Sequence, residues 1–179
     1  MPEINVATLN AQARQAYDGE EFLEAAELFC QAAELLQNDQ PLEAGEALNN
    51  ASVAYLRANK PQEALEKASG TEKLFHDAGD TRREAMAYGN LAAAYQEQKD
   101  SVQALAYYQT SAELLKNIGE KDLRAYVLER ISAIQLKQGK RIEALITMES
   151  AIDSKSRLSF KDHLLRRLIR IVRGLLGQK

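Results

Sequence analysis

Small and apolar residues recur along this chain in blocks of helical rather than strand period, and the blocks themselves recur. Four segments align without forcing: ARQAYDGEEFLEAAELFCQAAELL, ASVAYLRANKPQEALEKASGTEKLF, LAAAYQEQKDSVQALAYYQTSAELL and ISAIQLKQGKRIEALITMESAI. Each carries an alanine before a small or apolar residue, at Ala25, Ala64, Ala104 and Ala144, so the anchors stand 39, 40 and 40 residues apart. A fixed period of this size is the mark of a repeat architecture.

Each segment reads as two helices separated by a short break, at Asp18-Gly19, Asn59-Lys60-Pro61, Lys99-Asp100 and Gly139-Lys140. Glycine, asparagine and proline stop or restart helices because of their backbone geometry or a missing donor. Second turns fall at Gln37-Asn38-Asp39, Ala78-Gly79-Asp80 and Ile118-Gly119-Glu120. The expectation is one domain over 1–179, with eight helices in four hairpins over about 8–38, 43–77, 83–117 and 122–156. Beyond them, residues 161–179 form a strongly amphipathic segment. At 100° per residue Leu164, Leu165, Leu168, Ile171, Val172 and Leu175 share one side, with Arg166, Arg170 and Arg173 opposite. A stack of hairpins needs covered ends. The apolar side of this segment is therefore expected to cap the fourth hairpin around Leu145, Met148 and Ile152.

Composition supports an all-α chain. Proline is confined to Pro2, Pro41 and Pro61, and tryptophan is absent, so the core must come from close packing on alanine and leucine. The lone Cys30 excludes an intrachain disulfide and reads as a buried, inert thiol. The opening MPEINVATLNAQARQAY has no basic and apolar leader pattern, and no stretch approaches the ~20 apolar residues of a membrane span. The expected location is cytoplasmic. A net charge of −3 hides an asymmetry: residues 161–179 carry +5, which leaves −8 on residues 1–160. An acidic body repels phosphate, which argues against nucleic acid as a partner.

Four places recur at one spacing within each segment, the third of them the anchor alanine, and only the third segment has an aromatic at both the second and the fourth. Ser52, Tyr55, Ala64 and Ala68 take these places in the second segment, and Ala92, Tyr95, Ala104 and Tyr108 in the third. Ala13, Ala16, Ala25 and Phe29 take them in the first, and Ser132, Gln135, Ala144 and Met148 in the fourth, where Gln135 departs from the pattern. The pattern resembles the tetratricopeptide repeat family. Its 40-residue spacing, longer than the usual 34, is similar to the subgroup found in kinesin light chains and related peptide-sensing adaptors. The resemblance covers about residues 8–155 and implies an α-solenoid, a right-handed superhelix of four hairpins plus the terminal capping helix.

The resemblance also implies a concave wall made by the first helix of each hairpin, on which an asparagine five positions before the hairpin tyrosine bonds to a bound peptide's main chain. Asn50 and Asn90 stand at that place. An amide suits the task because it offers a donor and an acceptor together. The first and fourth segments hold Ala11 and Arg130 at the matching place and do not continue the ladder, and the neighbouring wall positions are Asn10, Arg14, Asn49, Val53, Arg57, Ala93, Glu97, Glu129 and Lys137. The clamp for a dicarboxylate tail, known in chaperone-binding members, is matched at one position only, because Asn10, Arg14, Asn50, Met86 and Asn90 stand where its five ligands would be. A second candidate surface is the basic stripe Arg166, Arg170 and Arg173, which could meet an acidic partner or an anionic membrane. Against both stands the capping role, so membrane contact is not expected.

No phosphate loop, dinucleotide fingerprint, HExxH pair or GxSxG elbow is present, and His76 and His163 have no serine or cysteine partner in view. The expected function is a non-enzymatic adaptor that needs no cofactor and holds a peptide segment of another protein. Two further readings stand beside it. One is a peptide-responsive sensor. The other is a self-assembling module, monomer or weak homodimer, pairing through an uncapped end or through Ile169 and Leu176 at the flank of the last helix.

Overall fold

The computed structural model describes residues 5–175. Ten α-helices lie among them: α1 (Val6–Asp18), α2 (Phe22–Leu36), α3 (Pro41–Arg57), α4 (Pro61–Ala68), α5 (Thr71–Asp77), α6 (Thr81–Glu97), α7 (Ser101–Asn117), α8 (Lys121–Lys137), α9 (Arg141–Ser154) and α10 (Phe160–Leu175). There is no strand among the described residues. The chain forms two compact units that divide within α7, between Tyr107 and Tyr108.

Local chemistry starts and stops these helices where the period predicts. Asn5 and Asp80 cap α1 and α6 by accepting from the N–H groups of Thr8 (2.9 Å) and Arg83 (3.0 Å). Pro41 and Pro61 occupy the first turns of α3 and α4, where a missing N–H costs nothing. The turn inside each hairpin is the same piece of backbone four times. Glu20, Asn59, Lys99 and Gly139 all have φ between 58 and 77°, in the left-handed region. The next N–H, on Glu21, Lys60, Asp100 or Lys140, then reaches back to the carbonyl of Ala16, Tyr55, Tyr95 or Gln135 at 2.8–2.9 Å. This main-chain clasp satisfies carbonyls that a helix end would otherwise leave bare.

One predicted helix is two. The second helix of the second hairpin breaks at Ser69-Gly70, with Gly70 at φ +88°. The Ser69 hydroxyl donates to the Leu65 carbonyl (2.7 Å), Gly70 N–H to the Glu72 carboxylate (2.8 Å) and the Thr71 hydroxyl to the Ala68 carbonyl (2.7 Å). These side chains offer the backbone partners outside the helix, and glycine removes the steric barrier to using them.

The anchor alanines and the small residues before them are where the helices meet. Ala25, Ala64, Ala104 and Ala144 are buried, as are Ala13, Ser52, Ala92 and Ser132. In the first unit, Ala13, Phe29 and Ala51 form one core cluster, Ala16, Ala25, Ala26 and Ala54 another. Closest of all is Gly45 on α3, where an added Cβ would stand 2.7 Å from a Leu74 methyl and 3.1 Å from the Phe75 ring. In the second unit α8 packs along α9, and the Ser132 hydroxyl donates to the Ala144 carbonyl at 2.8 Å.

The last helix packs on α9 through the side opposite to the one expected. Arg166 pairs with Asp153 (2.8 Å), and Arg170 (3.2 Å) and Arg173 both pair with Glu149. Ile169, only 2% exposed, is buried among them and is not available for pairing between chains, while Leu164, Leu165, Leu168, Ile171 and Val172 all face solvent. The expectation of an apolar cap over Leu145, Met148 and Ile152 is thus reversed. A pair of carboxylates one turn apart on α9 meets the arginine ladder, and Ile169 is the one fully buried apolar side chain among the described residues of α10. The side chain of Leu175, together with Leu176 and Lys179, lies outside the described residues.

The start of α10 is fixed by a capping box. Ser159 N–H (2.8 Å) and hydroxyl (2.6 Å) donate to Asp162, whose own N–H returns to the Ser159 hydroxyl (3.2 Å). Lys155 joins Asp162 (2.7 Å) to Glu129 on α8 (3.0 Å). Asp122 accepts both the N–H (2.9 Å) and the hydroxyl (2.5 Å) of Ser156. The loop between α9 and α10 is therefore held by charge at both ends.

Candidate functional site

The wall predicted from the sequence divides between the units. In the first unit it runs over α1, α3 and α6. Asn10 is half-buried on α1, and Arg14 stands exposed one turn later. On α3, Asn49 and Asn50 follow one another, and the helical turn gives them different surroundings. Asn49 is buried, and its side-chain oxygen accepts from the Thr71 hydroxyl at 3.1 Å. It serves the break between α4 and α5, and no bound peptide could reach that oxygen without displacing the threonine. Asn50 is half-buried, with no hydrogen-bonding partner for its amide among the described residues.

On α6, Asn90 is half-buried, and its amide nitrogen lies 3.5 Å from the Asn49 carbonyl, at the outer limit of a hydrogen bond. Its oxygen remains for another donor. Asn50 and Asn90 thus flank the contact of α3 with α6. Val53 and Ala93 give half-buried apolar ground one turn on from each asparagine, and Glu97 is exposed at the end of α6. The arrangement can offer a passing main chain two amides and a strip of small apolar surface.

Arg57 is drawn aside. Its guanidinium stacks over the Phe22 ring at 4.5 Å and the Tyr17 ring at 5.8 Å, and those rings meet edge to face at 5.3 Å. A cation held over an aromatic pair contributes to the turn between α1 and α2. Arg130 and Lys137 lie on α8, in the second unit. Arg130 is half-buried and engaged, and Lys137 is exposed. Glu129 is committed to Lys155. The second candidate surface is likewise occupied, since Arg166, Arg170 and Arg173 bind the carboxylates of α9.

Sequence reasoning missed a stack of three tyrosines. Tyr107 lies between Tyr88 and Tyr95, with ring centroids 5.9 and 5.5 Å away. Burial pushes the Tyr88 and Tyr107 phenols above their ordinary value, further still from ionising at neutral pH. The spacing of Tyr88 and Tyr95 by two helical turns on α6 is the signal that could have found it. Cys30 is half-buried rather than fully so. Burial raises its thiol despite the nearby Lys67 ammonium, which keeps it in the unreactive form.

No group of three or more histidine, cysteine, aspartate or glutamate side chains fit to hold a metal exists among the described residues. The hollows on the first unit are open and shallow. One of about 350 Å³ is lined by Glu20, Glu21, Phe22, Leu23, Glu24 and Ala58. Neither charge pairing nor enclosure there suggests a small-molecule site. No described helix is long and apolar enough to cross a membrane.

The family described as SNAP, soluble NSF attachment protein, matches residues 5–172. No curated protein matches. Among solved structures, BtubC (BKLC) from P. vanneervenii superposes with a TM-score of 0.74 at 16% identity, covering 94% of this chain and 73% of that one. A putative kinesin light chain of nearly identical TPR-like repeats, from Podosopora anserina, superposes with a TM-score of 0.54 at 15% identity, covering 97% of each chain. These likenesses establish the all-α, tetratricopeptide-like repeat fold that the spacing predicted.

Proposed function

The chain belongs to the soluble NSF attachment protein family, and from that premise we propose that it is a non-catalytic adaptor whose first unit binds an extended peptide segment of a partner protein along α3 and α6. Repeat folds of this kind generally mediate protein–protein interaction, and an attachment protein and a kinesin light chain are, by their names, parts of assemblies with other proteins.

The observation that carries the reading is the pair Asn50 and Asn90. They are 40 residues apart and half-exposed on adjacent first helices, with amide atoms left over after the fold is satisfied. Asn49, adjacent in sequence, shows the contrast, because its side chain is bound to Thr71. A surface amide with unfilled valence can satisfy a peptide unit whatever side chain that unit carries. A wall of packed helices is ordered before the ligand arrives, which lowers the ordering cost of binding.

The test is affinity capture from the source lysate with immobilised wild type and the double variant Asn50→Ala, Asn90→Ala, after circular dichroism shows equal helicity. The expected result is a partner retained by wild type and lost by the variant. Equal retention refutes the assignment of these two amides. A parallel Asn49→Ala variant is expected to lose thermal stability while keeping the partner.

A further inference from the structure

The exposed side of α10 is an uninterrupted apolar ridge. Phe160 is 83% exposed, and Leu164, Leu168 and Ile171 are each 51% exposed, with Leu165 and Val172 beside them. They follow the spacing of a single helical stripe. A helix normally turns such a stripe to the protein, and here it is turned away because Arg166, Arg170 and Arg173 hold the opposite side to Asp153 and Glu149.

The charge around the ridge has one sign. Lys161, His163 and Arg167 are exposed on α10, and none of them takes part in an ion pair among the described residues. Asp162, the helix's one carboxylate, is turned inward to Lys155 and Ser159. Beside Ile171 a shallow groove of about 410 Å³ is lined by His163, Arg166, Arg167 and Arg170. The complement of this surface must be apolar in its centre and anionic at its rim.

We propose that α10 lies on an anionic lipid surface, with its leucine ridge in the acyl boundary and the groove beside Arg167 receiving lipid phosphate or carboxylate. Shape separates this occupant from an acidic peptide. The apolar residues stand on the crest of one helix, whereas the groove beside them is basic. A helical peptide is recognised in an apolar groove, while a fluid leaflet moulds itself to a ridge. Charge separates it from a second copy, because two such faces brought together would oppose Lys161 and Arg167 to their own likes, with no exposed carboxylate on α10 to relieve them. The helix would rest on the membrane, since no described helix can span one. The proposal is independent of the peptide reading of α3 and α6.

Flotation of the full chain with vesicles tests it, using phosphatidylcholine alone and phosphatidylcholine with 30% phosphatidylserine. The expected result is binding to the second composition only. It should fall at least about tenfold in Leu164→Gln, Leu168→Gln and fall with added salt, and Arg167→Glu should weaken it. These side chains are exposed, so the variants are expected to keep their helicity. Val102→Gln, which removes another exposed apolar side chain (74%), should bind as wild type. Absence of binding to either vesicle overturns the proposal, as does equal binding to both or binding that survives the double variant. Sedimentation of the same proteins without lipid gives the other occupant: a dimer that the double variant abolishes would assign the ridge to a second copy. Protection of α10 from hydrogen exchange by an acidic amphipathic peptide but not by vesicles would assign it to a protein.

Discussion

Two serines hold the same place in different repeats, and the same substitution should move stability in opposite directions. Ser132 is buried and its hydroxyl donates to the Ala144 carbonyl at 2.8 Å. Ser52 is wholly buried, and its hydroxyl has no partner. Removing the Ser132 hydroxyl loses one hydrogen bond, about 1 kcal/mol net, offset by about 0.5 kcal/mol of helix propensity gained by alanine. Removing the Ser52 hydroxyl relieves a buried group whose lost hydration, on the order of 1–3 kcal/mol, nothing repays. Ala13 and Ala92, buried at the same repeat position, show that alanine fits there. Ser132→Ala should therefore destabilise by about 0.5 kcal/mol, and Ser52→Ala, which gains the same helix propensity, should stabilise by about 1.5–3.5 kcal/mol. Repeat chains need not unfold in one step, so the readout must be local. Native-state hydrogen exchange should show protection rising at least about tenfold in α3 and α4 for Ser52→Ala and falling about twofold in α8 and α9 for Ser132→Ala. A Ser52→Ala protein as unstable as Ser132→Ala would mean that the Ser52 hydroxyl is bonded after all, and the argument would fail.

Other outcomes follow from the same geometry. Gly45→Ala gains about 1 kcal/mol of helix propensity but drives a methyl to 2.7 Å from Leu74 and 3.1 Å from the buried Phe75 ring. A net loss of about 1 kcal/mol is expected in urea denaturation, and Leu74→Ala in the same chain should reduce the clash, visible as a favourable coupling in the double-mutant cycle. Lys99→Gly removes a left-handed conformation that costs a lysine about 1–2 kcal/mol; after glycine's larger unfolded-state entropy, a gain of about 0.5 kcal/mol should appear as a slightly higher Tm. Docking of α10 should weaken in acid. Hydrogen bonds from Lys155 and Ser159 hold the Asp162 carboxyl far below the usual carboxylate range, and the Ser156 hydroxyl and N–H lower Asp122. Burial works to raise Glu149, but Arg173 and Arg170 more than offset it. Groups depressed in the folded state contribute stability that is full above the ordinary carboxylate pKa of about 4 and is lost as pH falls through the lower folded values. Exchange protection of α10 should thus be flat from pH 7 to 5 and decline below about 4; a flat profile down to pH 2 would contradict the role of these pairs.

Much of the fold was legible because its fastenings recur. The alanine anchors and the breaks at 18–19, 59–61, 99–100 and 139–140 locate the helices to within a residue or two. The split between α4 and α5 was written in Ser69-Gly70-Thr71, but a helical apolar pattern runs through it, and pattern outweighed the glycine. The orientation of α10 was misread for a different reason. Amphipathicity says that two faces differ and does not say which one is buried, and that choice rests on Glu149 and Asp153, four residues apart on another helix. The site was read at the level of helices rather than side chains. Asn49 and Asn50 are the same residue type at adjacent positions, and only the tertiary partner Thr71 separates a structural amide from an available one.

The clasp that closes each hairpin is made of main chain alone. Its left-handed residue is glutamate, asparagine, lysine or glycine in turn, and the carbonyl it fastens belongs to alanine, tyrosine, tyrosine or glutamine. The joint therefore accepts different side chains at these corners, with some backbone strain wherever its left-handed residue is not glycine. An in-frame duplication of about 120 nucleotides would add a hairpin with its fastening already built. A joint so written needs little shared sequence, in keeping with solved structures that superpose over nearly the whole of this chain at 15–16% identity.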